Sequence, residues 1–117
     1  MTERPFQRIL VALDGSRLAE AILPAVIGLA QACGGEIVLL HALEREPPEA
    51  VHGEPHLRSM AEAIAYLEAL VRALTGLGLA ARSVAVAADQ RAVADCIAQQ
   101  AAALETDLVA MTTHGSG

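Results

Sequence analysis

Four runs of apolar residues alternate with three stretches in which apolar residues recur every three or four positions. The first run, Ile9-Leu10-Val11-Ala12-Leu13, is apolar at consecutive positions and ends at Asp14-Gly15-Ser16. Such a run predicts a strand covered on both faces, as in the middle of a parallel sheet. Leu18, Ile22, Val26, Leu29 and Cys33 follow at helical spacing and predict one buried stripe. Ser16 is placed to cap that helix and Gly34-Gly35 to end it. Pro24 falls inside it, where the missing N–H predicts a bend.

The second strand is Ile37-Val38-Leu39-Leu40-His41-Ala42-Leu43. Residues 44–56 then hold three prolines, Gly53 and several charges, and predict a long loop. A second helix carries Met60, Ile64, Leu67, Val71 and Leu74 on one face and closes at Thr75-Gly76-Leu77-Gly78. Its carboxylates Glu62 and Glu68 fall on the outer face. The third strand, Ala81 to Ala87, alternates more weakly and reads as an edge strand. A third helix from about Arg91 to Leu104 turns Val93, Ile97 and Leu104 inward. The fourth strand, Asp107 to Thr112, leads into Thr113-His114-Gly115-Ser116-Gly117. The order β-α-β-α-β-α-β predicts an α/β fold, an open parallel sheet with helices on both faces and strand order 3-2-1-4.

Composition narrows the chemistry. The chain has 117 residues, the size of one domain. It is 54% hydrophobic but contains a single Phe, a single Tyr and no Trp, so its core is aliphatic and base stacking on aromatic side chains is nearly excluded. Every basic side chain is arginine. That excludes a Schiff-base lysine and the lysine of a Walker-type phosphate loop. The net charge of −6, without a basic run, argues against nucleic acid and anionic membranes as partners. Cys33 and Cys96 fit neither a C-x-x-C nor a zinc spacing and read as small buried residues. Arg4 and Pro5 follow the start with no apolar stretch behind them, and no run is long enough to span a bilayer. The expectation is therefore a cytoplasmic protein.

In an open parallel sheet, ligands bind at the carboxyl ends of the strands where the winding reverses. With the first and fourth strands side by side, Asp14 and Gly115 face one crevice. Asp14 is a candidate contact for a ribose or a phosphate-bound metal; its structural alternative is an acid at a helix's positive end. Ser16 lacks a Gly-x-Ser-x-Gly elbow and reads as a cap rather than a nucleophile. His114 reads as structural or ligand-adjacent, and His41 as a satisfied core histidine. His52 and His56 would suit a metal only on a helix, which Pro55 opposes.

Arg8-Ile9-Leu10-Val11-Ala12-Leu13-Asp14-Gly15-Ser16, Ile37-Val38-Leu39-Leu40-His41-Ala42 and Asp107-Leu108-Val109-Ala110-Met111-Thr112-Thr113-His114-Gly115 together resemble the universal stress protein family. The resemblance covers residues 1–117. It implies the family's five-stranded sheet, order 3-2-1-4-5, of adenine nucleotide alpha-hydrolase-like type. It also implies ATP or AMP as ligand, with Mg as a counter-ion, and a homodimer. The residues it assigns to the nucleotide are Ala12, Leu13, Asp14, Ala42, Met111, Thr112, His114 and Gly115, with the end of the second strand lining the adenine through its backbone. No catalytic residue is implied, and at most slow ATP hydrolysis.

The chain departs from the family's Gly-x-x-Gly, nine residues, Gly-Ser/Thr pattern. Thr112 stands at the first glycine, and its β-carbon disfavours positive φ. Asp89-Gln90 replaces a common Gly-Pro. The Gly-Ser/Thr pair, the last helix and the fifth strand would lie past Gly117. The expectation is a C-terminally incomplete domain with ATP affinity weaker than about 100 μM and a fourth strand whose open edge pairs with a second copy. One rival is a dimeric interaction protein of the same family that binds no nucleotide. Another is an electron-transfer flavoprotein or PP-loop relative, which would want a glycine-rich loop or a further domain.

Overall fold

The computed structural model describes residues 7–13, 20–44, 50–51, 54–55, 60–89 and 93–111. Strand β1 (Arg8–Ala12) is followed by helix α1 (Leu23–Cys33), β2 (Glu36–Glu44), a minimal antiparallel pair β3 (Ala50–Val51) and β4 (Glu54–Pro55), then α2 (Met60–Gly76), β5 (Ala81–Asp89), α3 (Val93–Ala103) and β6 (Leu108–Ala110). The main sheet runs β5-β2-β1-β6 and all its pairings are parallel. This is the expected order 3-2-1-4 of the four core strands.

The consecutive apolar run explains the centre of the sheet. Ile9, Leu10 and Val11 are fully buried, as are Ile37, Val38, Leu39 and Leu40 opposite them. Alternation divides these side chains between two layers. Ile9, Val11, Leu13, Ile37 and Leu39 pack with Leu23, Val26 and Ala30 of α1 and with Leu67 and Leu74 of α2. Leu10, Val38 and Leu40 meet Ile97 of α3 on the other face, with Val93 and Leu104 beside it. β5 and β6 lie at the two edges, which matches the weaker alternation of the third strand.

Four local expectations change. Helix α1 begins at Leu23 after a turn at Ala21 and Ile22, so Pro24 sits in its first turn and not at a mid-helix bend. A first-turn position needs no N–H, which is why proline is accommodated there. The cap expected at Ser16 lies outside the described residues. On α2 the buried line is Ala63, Leu67 and Leu74, while Ile64 is 42% exposed. The helix is rotated so that small Ala63 lies against the sheet. The loop after β2 contains the β3–β4 pair. Cys96 is buried as expected, whereas Cys33 is only half-buried.

Gly34 ends α1 in the left-handed conformation, φ 70°, with its N–H on Ala30 O at 2.7 Å. The end of α3 uses the same geometry with a different residue. Glu105 adopts φ 53°, and the Thr106 N–H reaches back to Ala101 O at 3.1 Å.

Candidate functional site

The carboxyl edge of the sheet is where β1, β2 and β6 end at different heights. Hydrogen bonds fix which way each peptide faces there. The N–H of Glu36 donates to Gln7 O, and the N–H of Leu13 donates to Leu40 O, both at 2.8 Å. Even-numbered residues of β2 therefore face β1. The N–H of Ile37 donates to Ala80 O at 2.9 Å, so odd-numbered residues face β5. Ala42 is the next even-numbered residue, and it turns its N–H and C=O toward β1.

The β1–β2 ladder ends below that height. Its last rung is Ala12 opposite Leu40, while β2 continues along β5 through His41, Ala42 and Leu43. A further rung would set Leu13 opposite His41 and give the Leu13 carbonyl to the Ala42 N–H. Instead Nδ1 of His41 lies 2.8 Å from that carbonyl. A carbonyl only accepts, so Nδ1 carries the proton. His41 is 2% exposed, as expected of a core histidine with a partner. Among the described residues, the Ala42 N–H stands outside the ladder.

The candidate residues take distinct places. Leu13 is buried, 4% exposed, and both its main-chain groups are engaged by β2 or its side chain. Ala12 is half-buried, and its peptide groups face β6, because Arg8, four residues earlier, accepts the Asp107 N–H there at 2.8 Å. Ala42 packs its methyl against Cys96, Val86 and Val93, leaving only its backbone for the crevice. Met111 follows the end of β6 and is 43% exposed. Asp14, Thr112, His114 and Gly115 lie outside the described residues, as do Ser16, His52 and His56.

The edge formed by Ala12, Leu13, Ala42 and Met111 is apolar in its side chains and polar in its peptides. It can line a flat heteroaromatic ring and offer it a donor and an acceptor side by side. Among the described residues no three His, Cys, Asp or Glu side chains converge to hold a metal ion. No helix among them is long and apolar enough to cross a membrane. The His41–Leu13 contact joins residues 28 apart in sequence, and no local motif announces it.

The profile of the universal stress protein family matches residues 5–117. A protein from the universal stress protein family from Burkholderia pseudomallei has a similar crystal structure. Its TM-score is 0.70 over 93% of this chain and 83% of that chain, at 24% sequence identity, which shows a shared fold. No match among curated proteins reaches significance.

Proposed function

The chain belongs to the universal stress protein family, and from that premise we propose that its carboxyl edge holds an adenine nucleotide and that the domain regulates rather than catalyses. The observation that carries this reading is the Ala42 peptide, which faces the β1 side of β2 one rung past the end of the ladder. A peptide N–H beside a C=O complements adenine, whose N1 accepts and whose N6 amino group donates. Guanine has a donor at N1 and an acceptor at O6, so with the ribose held in the same place its pattern is reversed and the same edge disfavours it. Met111, 43% exposed after the end of β6, supplies an apolar wall. Asp14, at the end of the first strand, is the proposed ribose contact, and Thr112, His114 and Gly115 form the proposed phosphate turn. Mg would accompany the phosphates as their counter-ion.

Titration calorimetry with AMP, ATP and GMP tests this reading. Saturable one-to-one binding of AMP and ATP, with GMP weaker, supports it. A folded protein that takes up none of them at millimolar concentration refutes it.

The second reading is a self-associating interaction module that binds no nucleotide. Thr112 at the family's glycine position favours it. So do Val109 and Met111, 38% and 43% exposed at the β6 edge of the sheet. Light scattering that finds a dimer, together with silent calorimetry, would select this reading.

A further inference from the structure

Parallel ladders end where the strands diverge, yet β1 and β2 have not diverged at Leu13. Its N–H still donates to Leu40 O at 2.8 Å. The next rung, Ala42 N–H to Leu13 C=O, is not made. The Leu13 carbonyl goes to His41 Nδ1 instead. The His41 side chain shares the face of Ile37 and Leu39, by the alternation of β2, and is covered by the layer to which α1 and α2 belong.

We propose that His41 is a positioning residue: it takes the Leu13 carbonyl, stops the β1–β2 ladder one rung early, and so keeps the Ala42 N–H available to an adenine ring. The ligand half of this inference rests on the nucleotide reading above; the structural half rests on the sheet register alone. A side chain that cannot donate at the Nδ1 position lets the Leu13 carbonyl fall back onto Ala42 and closes the adenine edge. Adenine specificity then depends on a buried side chain that need not touch the nucleotide.

Three variants separate this role from simple packing. Asparagine places its amide N–H where Nδ1–H stands. Glutamine places it where Nε2 stands. Valine has no donor. The first readout needs no ligand and is hydrogen exchange of the Ala42 amide followed by NMR. The second is AMP affinity. In the wild type and in His41→Asn, the Ala42 amide exchanges rapidly. In His41→Val and His41→Gln it is slowed about tenfold or more, as expected of an amide drawn into a ladder. AMP affinity falls about tenfold in His41→Val, the loss of one hydrogen bond, and returns in His41→Asn.

A slowly exchanging Ala42 amide in the wild type overturns the proposal, as does the same exchange rate in all the proteins. Rescue by Gln and not by Asn also overturns it. If His41→Val does not fold, the contrast between Asn and Gln decides. If the wild type binds no AMP, the nucleotide reading fails, while the exchange data still decide what His41 does to the sheet.

Discussion

Arg8 and Glu36 clasp the amino ends of β1 and β2, with Arg8 Nε donating to Glu36 Oε1 at 2.9 Å. The same guanidinium donates through Nη1 to Leu104 O, and the Arg8 N–H donates to Asp107 Oδ2 at 2.8 Å. Arg82 meets the other oxygen of Glu36 at 3.4 Å from a more exposed position. The network ties β6 and β5 to the central pair at the edge opposite the candidate site.

The unequal geometry sets an order of effects. Arg8→Met is expected to lower stability by about 1 to 2 kcal/mol, through one partly buried ion pair and one carbonyl contact. Arg82→Met is expected to cost less than about 0.5 kcal/mol. Urea unfolding of both variants checks the order, and the Arg8 effect should shrink in high salt.

The rotation of α2 gives a second contrast. Leu67 is fully buried, so Leu67→Ala is expected to cost about 2 to 5 kcal/mol. Ile64 is 42% exposed, so Ile64→Ala should cost less than about 1 kcal/mol, offset in part by alanine's better helix propensity. Thermal or urea unfolding that ranks Ile64 with Leu67 would place the helix in the other rotation.

Two backbone positions should accept stabilising changes. Glu105 holds φ 53° at the end of α3, where glycine carries no steric penalty. Glu105→Gly is expected to gain about 0.5 to 1 kcal/mol. Gly28 lies exposed within α1 with nothing within 4 Å of an added Cβ. Gly28→Ala should gain about 0.5 to 1 kcal/mol. Equilibrium unfolding measures both.

These cases show what the sequence discloses. The central strands are legible because Ile9 to Leu13 are apolar without interruption and Ile37 to Leu43 are broken only by His41, as a doubly covered sheet requires. The stripe of α2 is blurred because alanine occurs on every side of the helix, so Ala63 and Ile64 read alike until the sheet chooses between them. The placement of Pro24 depended on a turn at Ala21 and Ile22 that no glycine marks. At the carboxyl edge, Leu13 and Ala42 could be placed from the ends of apolar runs, and Ala12 and Met111 from the family resemblance. The His41–Leu13 bond could not, because it depends on where a parallel register stops.

Thr112 offers a test of the proposed phosphate turn. The resemblance puts a glycine at this position, where threonine's β-carbon opposes positive φ. Thr112→Gly is expected to tighten ATP binding about fivefold, roughly 1 kcal/mol, while changing AMP less. Calorimetry on the two proteins reads the difference, and an unchanged ATP affinity would remove positive φ as the reason.

The most direct test of adenine recognition is an amide NMR titration of the labelled protein with AMP and, separately, GMP. The account predicts saturable shifts of the Ala42, Ala12 and Met111 amides with AMP, weaker shifts with GMP, and silence at Arg8, Glu36 and Arg82 on the opposite edge. No shift at millimolar AMP, or shifts confined to the Arg8–Glu36 edge, would contradict it.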